Sequence, residues 1–119
     1  MDHATVSISQ KIVGDSKVYN EYAAMEKYFI LLPMEHQENK NLTRKCVTEF
    51  FKLDKDVEAK LPDVYKSGLG KFLQLGLKFA QDHDATIQKF GRYPHRNEVL
   101  GRESTPAELE CLESADRYG

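Results

Sequence analysis

Between Leu69 and Phe90 apolar side chains recur at helical spacing, at Phe72, Leu73, Leu77, Phe79, Ala80, Ile87 and Phe90, and Gly91 follows directly. A stripe of that period buries one face of a helix about six turns long. Glycine just past the last apolar residue is the natural left-handed terminator. Strict apolar–polar alternation, the mark of a half-buried strand, is limited to short runs such as residues 4–9 and 73–79 and does not set the pattern of the chain. The expected fold is therefore all-α, antiparallel helical hairpins of about five helices, with Leu69–Phe90 the most buried.

The other helices follow from the same period. Ala4, Val6, Ile8, Ile12 and Val13 give an amphipathic stretch from Asp2 to Val13 that stops at Gly14. A second helix is expected from a cap at Asn20, carrying Ala23, Met25, Tyr28, Phe29 and Leu32, and ending at Pro33. A third runs from Met34 or Glu35 to Leu53, with Leu42, Cys46, Phe50 and Leu53 on one face. Residues 54–67 mix charge with Pro62 and read as irregular. Thr105-Pro-Ala-Glu108 opens the last helix with a capping box: a hydroxyl at the cap, proline at the first position and a carboxylate three residues on.

Composition closes off several functions. A chain of 119 residues fills one domain, taken as 1–119. With 17 Lys and Arg against 19 Asp and Glu, the net charge of -2 supplies no field for nucleic acid or anionic lipid, so neither is an expected partner. Cys46 and Cys111 lack CxxC or Cys/His spacing and read as core thiols of a reducing compartment. The N-terminus has neither a basic start nor an apolar core, so no secretory signal is expected. Tyr28 to Pro33, the longest apolar run, is far too short to span a bilayer. The expected location is the cytoplasm.

Chemistry concentrates in Phe90-Gly-Arg-Tyr-Pro-His-Arg-Asn97. If the turn after Gly91 is helical, Arg92 and Arg96 share a face and form a two-armed clamp for a carboxylate or phosphate. His95, Asn97 and Arg102 add donors, and His36, Glu38 and His83 are the upstream candidates for proton transfer. Two readings use these same residues. Either they brace the helices, with Glu38 held by Arg92 or Arg96, or they line a pocket for an anionic small molecule. A metal would need His36, Glu38 and His83 or His95 to converge, and no spacing requires that, so neither a metal nor a cofactor is assigned.

Residues 83–109, from His83-Asp-Ala-Thr through Phe90-Gly-Arg-Tyr-Pro-His-Arg-Asn97 to Thr105-Pro-Ala-Glu-Leu109, resemble the C-terminal signature of the uncharacterised family called domain of unknown function 924. Upstream, Phe29-Ile-Leu-Leu-Pro-Met-Glu-His-Gln-Glu38 is similar to the same family's Leu-Pro-x-x-His-Ser-Glu segment, with Gln37 at the serine position. The resemblance implies an all-helical, tetratricopeptide-like fold and no established activity. An aromatic-rich first part with an Asp-Gln-x-x-Arg-Asn segment has no counterpart here, so the chain is expected to match the C-terminal two thirds of the family domain. Helical arrays bury each apolar face on a neighbour. Val6, Ile8 and Ile12, with Leu42 or Phe50, are thus expected to face a partner, making the protein a homodimer or a subunit docked through its first helix. The resulting reading is a helical scaffold or interaction protein, with a small-molecule enzyme or binder as the alternative.

Overall fold

The computed structural model describes residues 3–15 and 23–114. Among them are five helices and no strand: α1 His3–Gly14, α2 Ala24–Glu35, α3 Lys40–Lys60, α4 Gly70–Phe90 and α5 Pro106–Ser114. A short turn, Pro62–Val64, and a wider π-type turn, Tyr65–Leu69, lead into α4, and a 3-10 turn, Pro94–Arg96, follows it. None of the described helices is long and apolar enough to cross a membrane.

Helix boundaries depart from expectation at the end of α2 and at the start of α3. Pro33 does not end α2 but sits buried in its last turn, and the chain leaves the helix at His36. Proline lacks an N–H donor and crowds the carbonyl four residues back, a cost carried here because Pro33 and the neighbouring Met34 are buried. The Asn20 cap lies outside the described residues, where the first described turn starts at Ala24 with the Glu26 carboxylate accepting from Ala23 N–H at 2.9 Å. Helix α3 starts at Lys40 rather than Met34 or Glu35. The Asn39 backbone is extended, and its side chain accepts from Asn41 N–H (2.9 Å) and Leu42 N–H (3.1 Å), satisfying donors that open a helix.

The charged stretch after Leu53 is not irregular. Leu53, Asp54 and Val57 continue the buried face of α3 to Lys60. Asp54 is tolerated inside because Tyr65 Oη–H donates to its carboxylate at 2.7 Å. That bond also ties the π-type turn back onto α3.

Helix α4 is the central element, packed along α3 and against α2, and α2 in turn carries α1. Leu73, Ala80 and Ile87, spaced by seven, are almost wholly buried. Gly76 lies on this side too, where the Tyr28 ring passes so closely that a Cβ would stand 2.5 Å from Tyr28 Cε2. Gly91 ends α4 with φ 74°, the left-handed conformation that glycine adopts without strain. Phe72 and Phe79, expected in the core by period, face solvent.

Val13, Leu31, Met34, Cys46, Phe50 and Ala80 form one core shared by α1 to α4, and Leu53, Val57 and Leu73 a second. The apolar residues expected to face a partner are therefore mostly used at home. Val6 and Phe50 are buried, and Ile12 and Leu42 pack against the core. Only Ile8 of that set is exposed, because α2 covers the face of α1 that carries Val6 and Val13.

Candidate functional site

After Gly91 the chain turns back over the corner between α2 and α3, and Tyr93 is its anchor. The Tyr93 side chain is wholly buried, its hydroxyl donates to Glu35 O at 2.5 Å, and its N–H donates to Glu38 Oε2 at 2.6 Å. Arg102 approaches the same carboxylate from the far side of the loop, Nη1 to Oε1 at 2.9 Å and Nη2 to Oε2 at 3.0 Å. This fork-on-carboxylate geometry is the strongest ion-pair arrangement side chains form. Asn97, almost fully buried, accepts from Arg102 Nε at 2.9 Å and donates to Ser104 Oγ at 3.0 Å. One carboxylate, one guanidinium and one amide thus fix the loop to the corner.

The two-armed clamp of Arg92 and Arg96 does not form, and neither is the hydrogen-bonded partner of Glu38. Arg92 reaches the other way, to Glu108 (2.9 and 2.7 Å) and to Glu103 O (2.8 Å). Arg96 donates to His36 O at 2.8 Å, with its guanidinium 4.8 Å from the Tyr93 ring centre. The segment between them is an extended residue and a 3-10 turn, not α-helix, so a four-residue spacing no longer places side chains on one face.

Electrostatics follow the pairing. Burial would push the Glu38 carboxyl up, but hydrogen bonds from Arg102 and Tyr93 N–H outweigh it and hold the group below the ordinary carboxylate range. The Arg92 guanidinium holds the Glu108 carboxyl at about 2. Glu108 also closes the predicted capping box, accepting from Thr105 N–H at 3.0 Å while its own N–H donates to Thr105 Oγ1 at 3.2 Å.

Beneath Tyr93 lies a second, inner cluster. Glu35, His36 and His83 each offer a ligand-capable atom, all within 4.8 Å of one another. The His36 and His83 rings meet edge to face at 5.3 Å, and His83 meets Tyr93 at 5.4 Å. His95 stacks on the outer side of Tyr93 at 5.7 Å and stays out of this cluster. Burial pushes the Glu35 carboxyl up to about 7 and, aided by His83 and Arg96, pulls His36 down to about 4. His83 is lowered as well, again by burial. Although His36 Nε2 is 3.6 Å from Glu35 Oε2, these opposing shifts mean that the two do not form a charged pair at neutral pH.

Of the eight residues read from sequence, His36, Glu38, His83, His95, Arg96, Asn97 and Arg102 gather around Tyr93 at this corner, and Arg92 turns away to Glu108. Glu35 and Asp84 were missed. The buried Asp84 accepts from Thr43 Oγ1 (2.9 Å), Arg44 Nε (2.9 Å) and Gln88 Nε2 (3.0 Å), locking α3 to α4. An acid on the apolar face of a helical wheel was the available signal for it. A groove of about 350 Å³ opens beside the corner, lined by Val6 and Gln10 of α1 with Gln37, Glu38, Asn39, Leu42 and Arg96.

The sequence model of one protein family, "Bacterial protein of unknown function (DUF924)", matches residues 1–116. Neither a curated protein nor a solved structure matches the chain.

Proposed function

We propose that this chain, which belongs to the DUF924 family of bacterial proteins of unknown function, works as a helical interaction module that pairs with a second copy of itself through α2 and α4. The observation that carries this reading is the exposure of large apolar side chains on those two helices. Met25 and Phe29 are one turn apart on α2, and Phe72, Leu75 and Phe79 lie on one side of α4. Tyr28, 4.8 Å from Phe72 and 5.7 Å from Phe29, joins the two stripes. Such a face on a chain this small marks an association surface. The same patch on two copies is self-complementary across a two-fold axis. The docking surface is accordingly α2 and α4, not α1.

The arginine-rich loop supports the same reading from the other side. Arg92 and Arg102 are committed to Glu108 and Glu38, so they brace the fold and offer no open clamp. Only Arg96 lines the groove beside α1, which supports a second, lesser reading in which a small anion binds there. Operation in the cytoplasm belongs to the proposal too, supported by the buried thiol of Cys46.

Sedimentation equilibrium over a hundredfold range of concentration tests the main reading. A dimer is expected that dissociates in Phe29→Glu and Phe72→Glu, with retained helical circular dichroism showing that each variant still folds. A clean monomer at every concentration sinks it.

A further inference from the structure

Glu35 is the least satisfied group in the described part of the molecule. Its carboxylate is about 95% buried, and Oε1 has no hydrogen-bond partner among the described residues. Buried carboxylates are ordinarily paired, hydrogen-bonded or bound to a cation. What faces this one is two imidazoles. His36 presents Nε2 to the carboxylate. His83 Nδ1 lies 2.7 Å from Phe79 O, an approach that requires the proton on Nδ1 and puts the lone pair on Nε2. A backbone carbonyl bonded to the distal nitrogen is the usual support of a metal-binding histidine. Tyr93 contributes a further brace, its hydroxyl fixing the Glu35 backbone where α2 ends.

We propose that Glu35, His36 and His83 bind one Zn²⁺ ion. Two imidazoles and one carboxylate are the donor set of open zinc sites, with a fourth position left for water or a small anion. Around a tetrahedral zinc, ligand atoms sit about 3.4 Å apart. Closing the 4.8 Å span to that separation needs a shift of about 1.4 Å, available to His36 at the partly exposed rim. A coordinating imidazole binds through an unprotonated nitrogen, which the Nδ1 bond to Phe79 O provides at His83 Nε2. Arg96 and His95 bring positive character from the connector and oppose a cation, while Glu35 offsets one charge and an anion at the fourth position would offset another. This inference is independent of the α2 and α4 surface.

Titration of the metal-stripped full chain with Zn²⁺ against a chromophoric chelator tests it, with Co²⁺ absorption reporting the coordination number. The expected result is one ion per chain, four- or five-coordinate, bound more weakly by about tenfold or more in both Glu35→Gln and His36→Gln. Thermal melting supplies the second readout. Without metal, Glu35→Gln should melt at or above the parent chain, because it removes an unpaired buried carboxylate. With Zn²⁺ the order should reverse, since only the parent gains from binding. If Glu35→Gln does not fold, the partly exposed His36→Gln decides alone. Absence of stoichiometric Zn²⁺ binding, or equal binding by the parent and the folded variants, overturns the site.

Discussion

Glu108 shows how one side chain holds two kinds of structure at once. Its carboxylate closes the cap of α5 and receives Arg92, and it is 2% exposed. Glu108→Gln keeps an acceptor for the cap but loses the charge, so it is expected to lower stability by about 1–2 kcal/mol. Glu108→Ala loses the cap too and should cost about 1 kcal/mol more, both read by urea unfolding. The same group sets an acid limit. With its folded carboxyl at about 2 against an ordinary 4.5, the unfolded chain takes up the proton first as pH falls. The stabilisation is thus complete above about 4.5 and is lost as pH drops through about 2. Glu38, shifted in the same direction, adds to the loss in this window. Glu108→Gln should flatten that part of the stability–pH curve, and a curve parallel to the parent's would show that the Arg92 pair contributes nothing. At Cys46 the pattern is different: burial pushes the thiol up and the Sγ–H lies 3.6 Å from Leu31 O. An alkylating reagent should leave Cys46 unmodified in the folded protein and label it only on unfolding.

At the scale of elements, the approach of α2 to α4 depends on Gly76. Alanine is the better helix former by about 1 kcal/mol. Here its Cβ would overlap Tyr28, a ring confined by Phe50 at 5.2 Å and Phe72 at 4.8 Å. Gly76→Ala is expected to destabilise by about 1–3 kcal/mol net, because the clash exceeds the propensity gain. A stabilised variant in thermal melts would mean that Tyr28 swings away freely. Helix ends were legible at two local signals, although a third, the Asn39 cap of α3, was not read. Gly91 and the Thr105–Glu108 box worked as read, since a positive φ and a capping carboxylate act within a few residues. Pro33 misled because burial of Pro33 and Met34 in the core holds the last turn of α2, in spite of the lost N–H donor and the crowding of the carbonyl four residues back.

Across the whole molecule, the question is what covers Phe29, Phe72, Leu75 and Phe79. If a second copy does, the melting temperature should rise with protein concentration, since dissociation accompanies unfolding. The charged variants at Phe29 and Phe72 should abolish that dependence while retaining helical circular dichroism. A concentration-independent melting temperature in the parent chain would argue against pairing.

The all-helical class, the central helix from about Leu69 to Phe90 and its stop at Gly91 were determined by the sequence alone, because period, capping and a left-handed glycine are properties of neighbouring residues. So was the identity of the polar residues at the corner. Which of them touch was decided only by the tertiary structure. Glu38 meets Arg102 across 64 positions, and Arg92 turns to Glu108, through a 3-10 turn whose direction no helical spacing encodes. Likewise Phe72 and Phe79 share the period of the core yet face outward, since a helix packed by α2 and α3 on one side has an apolar arc wider than those neighbours cover. Glu35 gave no signal at all, because a carboxylate left without a partner becomes visible only once the fold has closed around it.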